Sequence, residues 1–427
     1  MKTFFIILFC IGHLCSFGQG IKFFSGDYNA AVEQAQKEGK VLFVDFYANW
    51  CGPCRWMEKE TFSLDAIGKY FNEKFISLKI NTEELDNSNF VKQNKIESLP
   101  TLIFFDVNGK VLSRTEGAVD AEALMKIAKV VCGEEMSFEE LFAKFKSSKN
   151  DLKLTQQLLK EAPTYVGTLD GIEKEKWVSR IERIFKDYVN KKMGEELINA
   201  DDYRIITTFH SADKPGDKLM EFINKNMKEY LKLGKGPAYF VVEYNNKIIE
   251  NFARAGNDEY KKYLERIDGD MKLAYSVLPQ NKTSVRQRLT LLYDAEYLLF
   301  YKKNSEEYMK AMESYFNDLG EGINADDYGM AAQNIFIAIN GEVPDVVIEK
   351  TKEWMLKALQ FKNIPLVDKV NYLVMLGDSN KLLQNYSEAK KCYNQAFMES
   401  FQLGEEMTQM MVQLKIKEKL GLLDLLE

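Results

Sequence analysis

Cysteine and histidine are scarce in this chain of 427 residues, and their scarcity excludes several kinds of protein. The chain has six cysteines and two histidines, and Cys51 and Cys54 form its one Cys-x-x-Cys pair. So few cysteines cannot build a disulfide-stapled scaffold. A structural zinc site needs four ligands, and no second Cys-x-x-Cys or histidine pair follows. We therefore expect no metal site, and we expect Cys132 and Cys392 to be structural.

Long apolar runs are also missing. The segment Phe4–Ile11 is too short to span a bilayer, and no long uncharged apolar run follows it. Lys2 precedes this segment, and the small residues Ser16 and Gly18 stand at positions −3 and −1 of a cleavage site. This pattern predicts a signal peptide over residues 1–18. A lipid anchor on an early cysteine is disfavoured, because a large residue precedes each candidate.

An excess of positive charge is absent too. The formal net charge is −7 and the isoelectric point is near 5.4. These values argue against nucleic acid and anionic membranes as partners. We expect an exported protein, periplasmic in a double-membrane bacterium, with no membrane insertion after signal cleavage.

The stretch Trp50-Cys51-Gly52-Pro53-Cys54-Arg55 organises the first part of the chain. An apolar, β-branched run over Lys40–Tyr47 predicts a buried strand before it, and Arg55–Lys59 suits a helix after it. Free N–H groups at a helix start stabilise an anion, which favours Cys51 as an attacking thiolate and Cys54 as the resolving thiol. A plain structural disulfide is disfavoured because it would more often close a longer loop. The context therefore favours a redox-active pair.

Residues 21–132 resemble thioredoxin through several motifs in the right order. Asp45 stands where the family keeps a buried carboxylate that helps move protons, and Lys79 matches the lysine that faces it. Leu99-Pro100-Thr101 matches the cis-proline loop that lies against the active-site disulfide, and Gly117 matches the glycine before the last helix. The resemblance implies a mixed sheet flanked by helices.

The chain departs from ordinary thioredoxin at three places. Tyr47 replaces the usual first tryptophan, and the segment between Cys54 and Lys79 is longer. The form Cys-Arg-Trp-Met-Glu-Lys-Glu-Thr-Phe is more like exported thioredoxin-like proteins and the reductase domains of transmembrane disulfide-interchange proteins.

Local patterns predict the secondary structure of this part. Asp27 should cap a helix that ends at Gly39, and Asn108-Gly109 indicates a hairpin. The predicted strands are Ile21–Phe24, Val41–Tyr47, Phe75–Ile80, Thr101–Asp106 and Lys110–Glu116. Further helices are predicted at Asp65–Asn72, Asp86–Lys95 and Asp120–Cys132.

Several site residues have a structural alternative to a functional role. Pro100 could merely begin a strand, but the resemblance favours a cis bond that leaves neighbouring backbone free for a substrate strand. Asp45 could lie at a strand edge, but we favour a buried acid with a raised pKa. Trp50 and Trp56 are expected to be packing residues, although Trp50 could belong to a contact surface around Cys51. The residues expected to contact substrate are Trp50, Gly52, Pro53, Leu99, Pro100, Thr101 and Gly117.

The composition changes near Glu134, where strand signals nearly vanish and helical spacing takes over. We predict a thioredoxin-like domain over residues 19–133 and an all-α helical-repeat region over residues 134–427. The hexapeptide Ile198–Tyr203 recurs as Ile323–Tyr328, and each copy is expected to open a helix with an acidic N-cap.

Residues 370–403 resemble a tetratricopeptide repeat, in which small residues let two antiparallel helices pack closely. The residues that carry this resemblance are Leu376, Gly377, Leu383, Tyr386, Ala389, Tyr393 and Ala396. Because one clear copy cannot make a stable array, the neighbouring helical hairpins are expected to be degenerate repeats.

The resemblances imply a thiol-disulfide oxidoreductase that reduces or isomerises protein disulfides through Cys51 and Cys54, and the N-terminal pattern predicts that it is exported. The helical region is expected to bind clients or partners. The protein's only redox group would be the Cys51–Cys54 disulfide, without a further cofactor. Its partners would be protein substrates with disulfides and an unidentified thiol electron donor. The alternative is a non-catalytic adaptor or chaperone-like protein that uses both parts as docking surfaces.

Overall fold

The structure, a computed structural model, describes residues 20–279, 283–338, 343–404 and 406–425. The predicted signal peptide over residues 1–18 lies outside this part. The chain divides into two compact units, residues 1–178 and 179–427, with the division inside the helix Gly171–Lys192. None of the described helices is long and apolar enough to cross a membrane.

The first unit begins with an α/β arrangement and ends with helices. Its strands are β1 Val41–Tyr47, β2 Phe75–Asn81, β3 Thr101–Phe105 and β4 Val111–Glu116. Its helices are α1 Tyr28–Glu38, α2 Gly52–Met57, α3 Asp65–Lys74, α4 Ser88–Gln93, α5 Ala121–Val131, α6 Phe138–Ser147 and α7 Leu152–Gly167, followed by the start of α8 Gly171–Lys192. A π-helical turn, Glu58–Phe62, continues α2, and a 3₁₀ turn, Leu85–Asn87, precedes α4.

The strands form one mixed sheet in the order β2-β1-β3-β4. Strand β1 pairs in parallel with β2 and antiparallel with β3, and β3 pairs antiparallel with β4. The mixed sheet and its flanking helices match the α/β fold that the thioredoxin resemblance implies. The helical region that follows matches the second part of the predicted fold class. That prediction is confirmed.

Local chemistry explains the element ends. The Asp27 carboxylate accepts a hydrogen bond from Ala30 N at 2.8 Å and caps α1, while Gly39 ends the helix at φ 63°. Asp120 caps α5 in the same way. Gly109 adopts φ 77° in the loop that joins β3 to β4, so the hairpin prediction is confirmed.

The first predicted strand is not formed as a strand. Over Ile21–Phe24, the structure shows a single parallel bridge, between Phe23 and Ser77. The segment is held instead by isolated bonds, including Phe24 N to Ser77 O at 2.6 Å. The predicted strand Ile21–Phe24 therefore forms one isolated bridge rather than a continuous ladder of hydrogen bonds.

Alternation along β1 places its side chains on two cores. Leu42, Val44 and Phe46 pack against α1 and the Phe105 side of the sheet. Phe43 lies on the other face with Met57, Phe62 and Leu124. Since side chains two residues apart share a face, Asp45 lies on the Phe43 face, beneath the helix that begins after Cys51.

The first unit continues past the α/β part. Lys126 of α5 pairs with Glu161 of α7 at 2.6 Å, and Trp177 contacts the rings of Phe138 and Tyr165 at centroid distances of 5.5 and 5.1 Å. The compact unit that holds the sheet extends to residue 178 and therefore also contains the first helices of the predicted helical region. The domain boundary between residues 133 and 134 stays a prediction.

The second unit is helical in its described residues. After the remainder of α8 its helices are α9 Ala200–Phe209, α10 Lys218–Lys225, α11 Met227–Tyr230, α12 Gly236–Arg254, α13 Tyr260–Glu265, α14 Lys272–Tyr275, α15 Val285–Glu296, α16 Ser305–Leu319, α17 Ala325–Ala338, α18 Asp345–Ala358, α19 Leu366–Leu382, α20 Tyr386–Ser400 and α21 Glu406–Asp424.

The repeated hexapeptides open α9 and α17, but their acidic residues are not the N-caps. The side chains of Asn199 and Asn324 perform that role, accepting from the backbone N–H groups of Asp202 and Asp327 at 2.9 and 3.2 Å. The prediction of acidic caps was therefore wrong. Asparagine holds the cap because it stands one residue before the first helical residue, whereas the acids lie inside the first turn.

Helices α19 and α20 form the hairpin that carries the tetratricopeptide-like residues. A Cβ added at Gly377 would lie 2.4 Å from a ring carbon of Tyr393, a fully buried residue. Ala389 and Ala396 are also fully buried. Close packing through small residues is thus present, whereas membership of that repeat family stays a prediction.

Candidate active site

Strand β1 delivers the chain to the start of α2, where the two cysteines lie. Cys51 is the N-cap of α2, and its Sγ accepts a hydrogen bond from Cys54 N at 3.2 Å. Cys51 and Cys54 are joined by a disulfide. The N–H that points at Cys51 Sγ would stabilise a thiolate there after reduction, as the sequence predicted.

The disulfide is largely shielded from solvent. Cys51 is 2 % exposed and Cys54 is 6 % exposed, and both pack with Ala48, Tyr47 and Leu99. Exposure therefore does not distinguish the two sulfurs, and the assignment of Cys51 as nucleophile rests on its position at the helix start. Gly52 and Pro53, the residues between the cysteines, are exposed.

The two tryptophans of the motif are not packing residues, which corrects the prediction. Trp50 is 67 % exposed and Trp56 is 46 % exposed. The inward positions of α2 are occupied by Cys54 and Met57, so Trp56 is left on the outer side. Trp50 lies before the helix, where its Nε1 donates to Glu83 Oε1 at 2.9 Å. This exposure is consistent with the alternative, a contact surface beside Cys51.

Asp45 is the buried acid of the site. It is 2 % exposed and pairs in register with Lys79 on the neighbouring strand β2. The pKa of Asp45 is raised to about 7, chiefly because the carboxyl is buried; the charge of Lys79 opposes this rise, and the charge of Glu58 contributes a smaller part of it. Its Oδ1 has no hydrogen-bond partner among the described residues. The carboxyl can therefore exchange a proton near neutral pH, as a proton carrier must.

Lys79 is held by three neighbours that the sequence prediction did not include. Its Nζ lies 3.2 Å from Glu58 Oε1, 4.7 Å from the centre of the Tyr47 ring and 5.3 Å from that of Phe23. Aromatic faces attract an ammonium group at these distances. Tyr47 could have been found from its place two residues after Asp45, on the same face of β1. Glu58 carries no comparable signal, because the sequence does not show that α2 continues into a π-helical turn.

The predicted proline loop lies beside the cysteines. The Leu99–Pro100 peptide bond is cis, as predicted, and Leu99 packs against the disulfide. Gly117 N donates to Pro100 O at 2.8 Å, and Gly117 has φ 86°, a conformation that favours glycine. Thr101 begins β3 opposite Phe46. Contacts in the structure thus link the predicted residues of five segments, which contain Asp45, Cys51–Cys54, Lys79, Leu99–Thr101 and Gly117. Their contacts with substrate stay predictions.

Among the described residues, no group of three or more histidine, cysteine, aspartate or glutamate side chains could hold a metal ion. Cys132 and Cys392, the free cysteines in the part of the chain that the structure describes, are partly buried, and burial raises the pKa of both thiols. A raised pKa disfavours the thiolate, so neither resembles a second redox centre.

Comparison with known proteins places this site in a family. A thioredoxin-like domain family matches residues 28–131. Thioredoxin-1 of Drosophila yakuba is 32 % identical over 105 residues, which cover 25 % of this chain and 91 % of that protein. The chain belongs to the thioredoxin family. The family match contains Asp45, Cys51, Cys54, Lys79 and the Leu99–Pro100 bond.

Other relatives are matched over less of their length. The chloroplastic thioredoxin Y of Oryza sativa subsp. japonica is 38 % identical over 99 residues, which are 23 % of this chain and 55 % of that protein. The thiol:disulfide interchange protein DsbD of Pseudoalteromonas atlantica is 32 % identical over 106 residues, 24 % of this chain and 18 % of DsbD. Among solved structures, a poplar thioredoxin h is 23 % identical with a TM-score of 0.23, covering 27 % of this chain and 96 % of that one. Family membership therefore describes the thioredoxin-like part and leaves the helical unit unassigned.

Proposed function

We propose that this protein is an exported thiol-disulfide oxidoreductase that reduces or isomerises disulfides in protein substrates. The observation that carries the proposal is the Cys51–Cys54 disulfide at the start of α2, with Asp45 buried beneath that helix. Family membership supports oxidoreductase chemistry in general terms. The substrate class, the direction and the export are our inferences.

The proposed reaction has two exchange steps. In the reduced protein the Cys51 thiolate attacks one sulfur of a substrate disulfide, forming a mixed disulfide and releasing the other substrate sulfur as a thiolate. Asp45 then accepts the proton of the Cys54 thiol, and the Cys54 thiolate attacks Cys51. This step frees the second substrate thiolate, which takes up a proton, and leaves the Cys51–Cys54 disulfide. Two electrons from a thiol donor reduce that disulfide for the next cycle.

The test compares single cysteine variants of the full chain. Cys51→Ser should abolish reduction of a protein disulfide, and Cys54→Ser should accumulate mixed disulfides on Cys51. Cys132→Ser and Cys392→Ser are matched controls and should keep full activity. If Cys54 is alkylated before Cys51 in the reduced protein at mildly acidic pH, the roles of the two cysteines are reversed.

The direction of the reaction depends on the reduction potential of the pair. A shift of about 30 mV corresponds to about 1.4 kcal/mol in this two-electron couple, so a modest change in thiolate stability converts a reductant into an isomerase. The Gly-Pro dipeptide between the cysteines favours reduction by resemblance. Equilibration of the purified protein with glutathione buffers would measure the potential.

Export is proposed from the sequence pattern alone. Cleavage after Gly18 would make Gln19 the first residue of the mature protein. N-terminal sequencing of protein recovered from the cell envelope tests this directly. Recovery of intact Met1 in the cytoplasmic fraction would contradict it.

The helical unit is proposed to bind clients or partners for the redox site. The close hairpin of α19 and α20 supports this, because stacked helical hairpins form extended binding surfaces. The non-catalytic adaptor remains the second candidate, and the same cysteine variants separate the two. An adaptor would bind its partners equally well with Cys51→Ser and would reduce no disulfide.

A further inference from the structure

An open groove of about 700 Å³ lies between α17 and α19 in the second unit. On α17 the lining residues recur every three or four positions from Asp326 to Ile337, and on α19 they do so from Asp368 to Leu382. Each helix thus contributes one continuous face of three to four turns. At 1.5 Å per residue, the α17 face is roughly 17 Å long, enough for several residues of a bound peptide.

The base of the groove includes Gly329 and Tyr372, which pack closely against each other. A Cβ added at Gly329 would lie 2.4 Å from a ring carbon of Tyr372, so glycine is what lets this ring lie against α17. The Tyr372 hydroxyl donates to Asp326 Oδ1 at 2.9 Å. Because the N-terminal end of α17 contacts the second turn of α19 in this way, the acidic first turns of both helices lie at the same end of the groove.

Negative charge is left uncompensated at that end. Asp326 and Asp368 both line the groove, and neither has an ion-pair partner in the part of the chain that the structure describes. A third acid, Asp378, is already matched by Lys419 at 2.7 and 2.9 Å. A carboxylate in a first turn also stabilises its helix, but any side of the turn would serve that purpose. Both of these line the groove.

The opposite end of the groove is apolar. Ile337 is 57 % exposed and Leu382 is 53 % exposed, at the last turns of their helices. Phe336 and Met375 line the groove with them. Lys381 is the cationic residue among the lining side chains, and it belongs to this end. An occupant that satisfies both ends must carry positive charge at one end and large apolar side chains at the other.

We propose that this groove binds a polypeptide segment of a client that carries a lysine or arginine and, several residues away, large apolar side chains. The basic group would lie between Asp326 and Asp368, and the apolar side chains would cover Ile337 and Leu382. This inference rests on the proposed action of the protein on other proteins. It adds the chemical character of the segment by which they are bound.

The experiment selects displayed random dodecapeptides on the full-length protein and measures the affinity of enriched peptides. We expect the enriched sequences to combine a basic residue with apolar residues, and their binding to weaken as salt is raised. The double variants Asp326→Asn/Asp368→Asn and Ile337→Ser/Leu382→Ser should each weaken binding by about tenfold. The matched controls are Asp345→Asn and Val346→Ser, exposed residues in the first turn of α18 that do not line the groove.

A charge reversal in the peptide provides a test that requires no change in the protein. Replacing the basic residue of an enriched peptide by glutamate should abolish its binding to the unaltered protein. The proposal is overturned if this peptide still binds, if enriched peptides lack basic residues, or if groove and control variants bind alike. It is also overturned if the groove variants convert a dimer into a monomer in light scattering, since the occupant would then be a second copy.

Failure of the groove and failure of the redox proposal give different results. Reduction of a small disulfide should be unchanged in both groove variants, and peptide binding should be unchanged in Cys51→Ser. Peptide binding without any disulfide reduction would support the groove proposal and contradict the redox proposal. Disulfide reduction without sequence-selective peptide binding would support the redox proposal and contradict the groove proposal.

Discussion

The two units of this chain treat a buried carboxylate in opposite ways. In the helical unit, Glu296 is 2 % exposed and accepts hydrogen bonds from the Arg254 guanidinium at 2.9 and 3.0 Å. Asn334 adds a third at 3.4 Å. In the first unit, Asp45 is buried to the same degree, yet its Oδ1 accepts no hydrogen bond from any described residue.

The difference separates a structural acid from a reactive one. Burying an ionised carboxylate costs several kcal/mol unless a partner compensates for the lost water. Glu296 has such partners, and Arg254 opposes the rise that burial causes in its pKa. Asp45 has only the more distant charge of Lys79, so its pKa rises to about 7. An unpaired buried acid can give and accept protons, whereas a paired one mainly holds helices together.

The largest expected effect comes from removing the partner of the structural acid. Arg254→Met leaves Glu296 buried without a cation, which should lower the free energy of unfolding of the helical unit by about 3–5 kcal/mol. Urea denaturation followed by circular dichroism measures this loss. Arg286→Met is the control, because Arg286 and its partner Asp268 are solvent-exposed and 3.8 Å apart. A loss as small as the control's would show that Glu296 does not depend on its partner.

The next effect concerns the reactive acid and depends on pH. The pKa of Asp45 is about 7 in the folded protein, whereas the value for the unfolded chain is 3.8. Between about pH 4 and about pH 7 the folded state holds a proton that the unfolded state has lost, so stability falls as pH rises through this window. Asp45→Asn should remove that slope. At pH 8 the variant should be more stable than the oxidised parent by about 2–4 kcal/mol, and at pH 4 the two should agree.

The exposed Asp86 provides the control for this measurement. Asp86→Asn should leave the dependence of unfolding on pH unchanged. Equal stabilities of Asp45→Asn and the parent at pH 8 would mean that Asp45 is compensated after all. The two units would then not differ in the way described.

A smaller effect is expected from the cation that faces Asp45. Lys79→Met removes the charge that opposes burial, so the pKa of Asp45 should rise above about 7. Titration of the Asp45 carboxyl carbon by NMR in the oxidised protein measures the change. Lys69→Met, at an exposed position of α3, should leave that pKa unchanged. A fall in the pKa would contradict the assigned role of Lys79.

The smallest effect should come from Glu58. Its charge raises the pKa of Asp45 less than Lys79 lowers it, so Glu58→Gln should lower that pKa by a smaller amount. Glu60→Gln tests the specificity of the effect, since Glu60 lies in the same π-helical turn and pairs with Lys59. Equal shifts in both variants would indicate a general surface charge effect rather than the Glu58–Lys79 contact.

Local signals accounted for much of the first unit. Asp27 and Gly39 mark the ends of α1 because capping and positive φ depend on nearby residues alone. The register that places Lys79 beside Asp45, and the cis bond before Pro100, came from the family resemblance rather than from composition. The exposure of Trp56 was not foreseen, and that of Trp50 was foreseen only as an alternative, because aromatic residues usually pack and the sequence does not show which side of a short helix is covered.

Distant partners account for most of what the sequence did not show. Arg254 and Glu296 are separated by 42 positions, and no local pattern links them. Phe23 lies in a segment that was predicted to be a strand but forms one isolated bridge, with Ser77, and its ring lies near the Lys79 ammonium group. The groove between α17 and α19 depends on Gly329 meeting Tyr372. Such pairs arise from tertiary packing, which periodicity in one sequence does not report.

The central place of β1 has a further consequence, for the time scale on which parts of the site can open. Residues Leu42–Phe46 pair with strands on both sides, whereas the cysteines lie on the six-residue helix α2 and the loop before it. Amide protons of the doubly paired strand should exchange with solvent only when the whole unit unfolds, while those around Cys51 can exchange through local opening. The acid is thus anchored in the slowest part of the unit, and the sulfurs are carried by a segment that can reorganise around a bound disulfide.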